Sequence, residues 1–113
     1  MFSRKYNRTQ FNYDSKKERS FTKPSHLVSE FGLEFIHKVE GIYINEDTQF
    51  GRQGVIVTAD YRINAPIHLT GQLHEITRDD ESVKLVNDGK VGFKFETYEN
   101  EHGIQYTVKW VDL

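Results

Sequence analysis

The C-terminal part of the chain constrains the fold most strongly, because its apolar residues alternate along two consecutive segments. Val91, Phe93 and Phe95 alternate with polar residues, and every second position from Ile104 to Trp110 is apolar or aromatic. Such period-two alternation is typical of half-buried β-strands. The polar residues 99–103 between the two segments predict the turn of a hairpin, with both apolar series facing a core.

Two earlier segments predict further strands. Residues 33–45 are rich in Ile, Val, Phe and Tyr, and Gly41 interrupts their alternation, which predicts a bulge or a sharp bend. A polar loop over residues 46–54 follows, and residues 55–61 predict the next strand.

Helix signals lie before and between these strands. Pro24 and Gly32 are suited to the first turn and the end of a short helix. A second helix starts at residues 64–66, and its apolar face follows the i, i+4, i+7 spacing of Leu69, Leu73 and Ile76. A further helical turn runs from Asp79 or Asp80 to the stop at residues 88–89.

This element order predicts a mainly β (α+β) domain. The specific expectation is an oligonucleotide-binding (OB) fold, a five-stranded barrel with one or two short helices between strands. Four strands are clear in the pattern, and the fifth comes from splitting residues 33–45 at Gly41 or from the N-terminal part. A chain of 113 residues holds one such domain.

The formal net charge of −2 conceals a strong asymmetry. Residues 1–29 contain seven Lys and Arg against two acidic residues, a net of +5, whereas residues 30–113 contain eight against 15, a net of −7. Five aromatic residues are interleaved with the basic ones. The pattern predicts a basic, aromatic-rich N-terminal arm over residues 1–21 and the OB-fold domain over residues 22–113.

The composition argues against several kinds of site. The chain has no cysteine, which removes disulfides, thiolate metal ligands and cysteine nucleophiles, and its five histidines show no i, i+4 pair. The acidic run at residues 79–81 is explained by its position at a helix start. We therefore expect no catalytic residues, no metal, no cofactor and no enzymatic activity. The lack of a long apolar run or an apolar leader predicts no membrane association, and the cysteine-free composition fits a cytoplasmic location.

Cationic and aromatic residues on strands and loops favour single-stranded nucleic acid, since such ligands need base-stacking faces and cations near phosphates. The candidate DNA-binding residues are Tyr43, Phe50, Arg52, Tyr61, Arg62, Lys94, Tyr98 and Lys109. The pattern leaves open an ordinary half-solvated sheet, which also carries outward Lys and Tyr.

Several short blocks add a resemblance to a known family. They are residues 39–45 (VEGIYIN), 50–51 (FG), 64–69 (NAPIHL), 89–94 (GKVGFK) and 106–112 (YTVKWVD). Together, over roughly residues 14–113, they resemble the small single-stranded DNA-binding proteins of lactococcal and streptococcal bacteriophages.

The resemblance implies an OB fold, a homodimer, and sequence-independent binding and protection of single-stranded DNA during phage DNA replication or recombination in the host cell cytoplasm, with phage recombination proteins as further partners. The alternative from another class is a phage accessory protein that binds another protein. Its acidic body or an exposed sheet edge would then form the contact.

Overall fold

The computed structural model describes residues 10–49 and 51–113, apart from the side chain of residue 47. These residues form seven strands and three α-helices, so the expected α+β class with mostly strands is confirmed. In chain order the elements are β1 (Ser20–Thr22), α1 (Pro24–Phe31), β2 (His37–Lys38), β3 (Gly41–Thr48), β4 (Gly51–Val57), β5 (Tyr61–Asn64), a 3-10 turn (Ile67–Leu69), α2 (Thr70–Arg78), α3 (Asp80–Asn87), β6 (Val91–Asn100) and β7 (Gly103–Asp112).

The strands form two sheets that are linked by one bent segment. The first sheet has the order β1-β5-β4-β3, with β1 parallel to β5, and the second has the order β2-β6-β7. The segment bends between β2 and β3: the Val39 N–H donates to the Val91 carbonyl (3.0 Å) in the second sheet, and the Glu40 N–H donates to the Val57 carbonyl (2.7 Å) in the first. The interruption expected at Gly41 is therefore present immediately before this residue.

The two sheets do not close into a barrel within the described residues. Strand β5 bonds to β4 on one edge and to β1 on the other, so its backbone has no free edge for β7. The closed five-stranded OB barrel expected from the sequence is consequently not confirmed.

Local signals explain where most elements begin and end. Pro24 occupies the first turn of α1, and Gly32 ends it with φ of +84°, as predicted. The prediction of a single strand over residues 55–61 is wrong, because the chain reverses between β4 and β5. There the Thr58 N–H donates to the Tyr61 carbonyl (2.9 Å), and the Tyr61 N–H donates to the Thr58 hydroxyl (3.2 Å).

The core lies between the sheets and the helices. Leu27 of α1 and Leu73 of α2 are fully buried against the sheets, and Phe93 and Phe95 supply the largest core side chains. His37 joins this core at 5% exposure, with its ring stacked on Phe93 at 5.3 Å. The β6 alternation therefore faces the core as predicted.

Residues 10–22 pack along the body. The Asn87 side chain donates to the Gln10 carbonyl (2.9 Å), and Tyr13 lies directly against Gly41, where any side chain would collide with its ring. The Arg19 side chain is 1% exposed and pairs with Glu40 at 3.1 Å. Residues 1–9 of the predicted arm lie outside the described residues, and the boundary at residue 21 stays a prediction.

The β6–β7 hairpin extends past the core. Its residues from Glu96 to Ile104 are exposed, and the molecule measures 48 Å along its longest axis. The expectation that Ile104 faces the core is wrong: it is 65% exposed, because the hairpin has left the packed region at this point. Among the described residues, no helix has the length and apolar character needed to cross a membrane.

Burial of His37 predicts a pH-dependent stability. Desolvation lowers the pKa of His37 below its ordinary value of 6.5, so the unfolded chain takes up a proton at higher pH than the folded chain. The free energy of unfolding should fall as the pH drops below 6.5, by at most about 1.4 kcal/mol per pH unit, until the lowered folded pKa is reached.

Urea unfolding at about pH 7.5 and about pH 5.5 measures this loss across the range in which histidine titrates. His37→Phe should reduce it, since Phe removes the titrating ring and keeps the aromatic packing. Replacing the exposed His26 with Gln is the matched control. An equal loss of stability in His37→Phe and the wild type would show that His37 is not the responsible group.

Candidate nucleic-acid interface

Among the described residues, the predicted DNA-binding residues do not form one surface. Arg62 and Tyr43 project from the same face of the first sheet, because Arg62 and Gly41 both pair with Val57 and Tyr43 lies two residues from Gly41. Tyr61 precedes Arg62 and therefore points to the opposite face. There it packs against the core, with its ring 6.5 Å from that of Phe31.

The Arg62 guanidinium makes hydrogen bonds and a ring contact with other residues of the protein. Nη1 donates to the Tyr43 hydroxyl (3.2 Å), Nη2 donates to the Ser15 carbonyl (3.0 Å), and Cζ lies 5.5 Å from the centre of the Tyr43 ring. These contacts hold residues 10–22 on the first sheet. A phosphate would have to compete with them.

The predicted residues of the second sheet share one strand face. Lys94 and Lys109 are cross-strand partners, and Tyr98 projects from the same face further along β6. Lys94 pairs with Glu34 at 3.2 Å. The Tyr98 ring meets His68 edge to face at 6.0 Å, so this tyrosine lies near the 3-10 turn.

Arg52 lies near the start of β4, where it pairs with Glu46 at 3.5 Å while its side chain remains 49% exposed. Phe50, the remaining predicted residue, lies outside the described residues. The seven predicted residues that the structure describes thus belong to separate regions, and the common role of all eight in DNA binding stays a prediction.

A different set of residues forms a groove beside the projecting hairpin. We call it the hairpin groove; it measures about 620 Å³ and runs between the start of α1, the end of β5 and strand β7. Its lining consists of Lys23, Pro24, Ser25, Gln53, Asn64, Ala65, Pro66, Ile67, His68, Gln105 and Tyr106.

Hydrogen bonds hold two sides of the hairpin groove. Gln53 Nε2 donates to the Ala65 carbonyl (3.2 Å), which joins β4 to the chain after β5. His68 Nε2 lies 3.1 Å from the Thr107 hydroxyl and links the 3-10 turn to the hairpin. The residues that line the groove are therefore held to both sheets.

The lining offers three amides, a tyrosine ring and a lysine. Gln53, Asn64 and Gln105 carry both donors and acceptors, which suit the edges of nucleobases. Tyr106 is half-buried and offers a ring for stacking, and Lys23 is exposed at the entrance.

The sequence pattern does not predict this groove. Amide residues have no spacing signal, and the alternation over residues 104–110 predicts that Tyr106 faces the core. The usable signal was Gln53, which stands between Gly51 and Gly54 in the region predicted as a loop. Among the described residues no group of three or more His, Cys, Asp or Glu could hold a metal ion.

Comparisons with protein-family models, curated proteins and solved structures gave no match.

The internal role of Arg62 gives a prediction for stability. Arg62→Met removes two hydrogen bonds and a cation–π contact, and should lower the free energy of unfolding by about 1–2 kcal/mol. Arg52→Met is the matched control, since an exposed ion pair contributes at most about 1 kcal/mol. Urea denaturation measures both. Unchanged stability of Arg62→Met together with a loss of oligo-dT binding would instead identify Arg62 as a phosphate ligand.

Proposed function

We propose that this protein binds single-stranded DNA without sequence preference, and that the hairpin groove holds the bases. The fold is proposed to be an open OB-like arrangement. The homodimer and the role in phage DNA replication or recombination implied by the resemblance belong to the same proposal.

The order of strands supports this reading. When the bent segment formed by β2 and β3 is counted as the first strand, β4 and β5 are the second and third, the helices follow, and β6 and β7 are the fourth and fifth. In OB folds the face of the second and third strands and the loops of the two hairpins contact oligonucleotides. The hairpin groove lies between Gln53 and Asn64 on one side and Gln105 and Tyr106 on the other, so the proposed second, third and fifth strands contribute to its lining.

The observation that carries the proposal is that the described lining of the hairpin groove contains no acidic residue. Residues 30–113 have a net charge of −7, yet no Asp or Glu is among the described residues that line the hairpin groove. A carboxylate there would repel phosphates across a short distance that salt screens poorly. An acidic protein can therefore still offer a site that a polyanion tolerates.

The balance of side chains predicts how DNA is held. Lys23 is the one lysine or arginine of the described lining, and Arg52 projects from the opposite face of β4 to Gln53, so few phosphates are neutralised and most remain in solvent. Stacking on Tyr106 and hydrogen bonds from the amides then supply much of the affinity. Base stacking tolerates any sequence, because every base has a π face.

The small number of cations predicts a shallow salt dependence. Neutralising about one phosphate gives a slope of log K against log salt near −0.7, since each contact to a single strand contributes about −0.7. Lys23→Ala should reduce the magnitude of the slope by about 0.7. Fluorescence anisotropy with labelled oligo-dT at several salt concentrations measures both slopes. Lys84→Ala, which removes an exposed cation of α3 outside the groove, is the control.

Two outcomes would contradict this account. A slope near −3.5 would require about five phosphate contacts and cations beyond the groove. Absence of binding at low salt would overturn the proposed function itself.

Tyr106 tests where the bases lie. Tyr106→Ala should weaken oligo-dT binding about 5- to 150-fold, the loss of one stacking contact of about 1–3 kcal/mol. Tyr106→Phe keeps the ring and should bind almost normally. Urea denaturation of both variants separates a loss of stacking from a loss of folding. Equal affinity of the folded Ala and Phe variants would show that the groove does not hold the bases.

A further inference from the structure

A second groove lies between the helices and the end of β7. We call it the acidic groove; it measures about 490 Å³, within the usual range of ligand pockets of about 300–1,000 Å³. Its apolar lining consists of Ile42, Ile76, Leu85, Val86, Val91 and Trp110, and its polar lining of Gln72, Glu75, Asp79, Ser82 and Asp112.

Trp110 forms a fixed wall of the acidic groove. The indole Nε1 donates to Gln72 Oε1 (3.2 Å), and the ring meets Phe93 edge to face at 6.0 Å. The ring cannot turn without losing both contacts. On α3, Leu85 lines the same groove and is 44% exposed, so an apolar side chain is available to a partner.

The charges of the acidic groove have one sign. Glu75, Asp79 and Asp112 are in its lining, and no Lys, Arg or His is among the described residues that line it. The neighbouring first turn of α3 adds Asp80 and Glu81. Nucleic acid is repelled by such a surface, whereas a Lys or Arg side chain can meet the carboxylates, and a guanidinium can also stack on the Trp110 ring.

We propose that the acidic groove binds a short basic segment of a partner protein that inserts an apolar anchor residue between Trp110 and Leu85. The partner segment needs both kinds of residue. Its apolar anchor covers the apolar lining of the groove, and its basic residues meet the carboxylates of the polar lining. The proposal does not depend on DNA binding, because the two grooves have different linings.

The single tryptophan makes the proposal testable with the intact protein, since all tryptophan emission comes from Trp110. The probe is a synthetic peptide without Trp or Tyr, Lys-Arg-Leu-Lys-Lys-Leu-Leu-Arg, titrated while Trp110 emission is recorded. We expect a saturable change. Two control peptides replace either every Leu by Ser or every Lys and Arg by Glu, and both should bind at least about ten-fold more weakly.

Variants then locate the contact. The pair Glu75→Gln and Asp112→Asn should weaken the probe peptide about ten-fold, and Leu85→Ser should also weaken it. The matched control, Glu99→Gln with Glu101→Gln, removes the same charge from the exposed hairpin and should leave binding unchanged. Urea denaturation checks that each variant is folded.

Three outcomes would overturn the proposal: no saturable change in emission, equal weakening by the hairpin variants, or equal affinity for the peptide without leucine. The second would indicate unspecific attraction to an acidic protein, and the third a site for cations alone. None of them bears on oligo-dT binding, which is measured separately.

Discussion

The bend between β2 and β3 is the constraint on which the rest of the structure depends. At Val39 and Glu40 consecutive N–H groups donate to different sheets, so one short stretch of backbone fixes how the two sheets lie relative to each other. Residues 10–22 cover this bend: Tyr13 lies on Gly41, and Arg19 pairs with Glu40. The absence of a side chain at Gly41 lets the aromatic ring reach the backbone. The grooves are positioned by the sheets, and therefore by this bend.

The same contacts change the meaning of the basic N-terminal stretch. Arg19 is buried and also donates to the carbonyls of Asp14 and Thr58, so its charge stabilises the fold. Arg62, from the acidic part of the chain, donates back to Ser15. Some of the charged residues behind the asymmetry, such as Arg19, therefore hold residues 10–22 on the rest of the domain. A basic segment next to an acidic domain does not by itself indicate a surface for phosphates.

Local chemistry made much of the fold predictable, and tertiary contacts account for the rest. Pro24 and Gly32 mark the ends of α1, and the alternation over β6 places Phe93 and Phe95 in the core. The chain reversal between β4 and β5 has no Gly or Pro to mark it in the sequence, because the turn is supported by the hydroxyl of Thr58. Strand β1 is not marked in the sequence either, since three residues acquire strand geometry only by pairing with β5. The hairpin groove joins positions from 23 to 106, and such a juxtaposition has no signature in the linear sequence.

Net charge is a poor guide to partners for a chain of this kind, because screening makes electrostatic selection local. At about 0.1 M salt, charges interact over roughly 10 Å, which is much less than the 48 Å length of the molecule. Among the described residues, the lining of the hairpin groove has a lysine and no carboxylate, and the lining of the acidic groove has three carboxylates and no Lys, Arg or His. A ligand in either groove is therefore affected mainly by that lining. One small protein with a net charge of −2 can in this way present a site suited to a polyanion and another suited to a basic peptide.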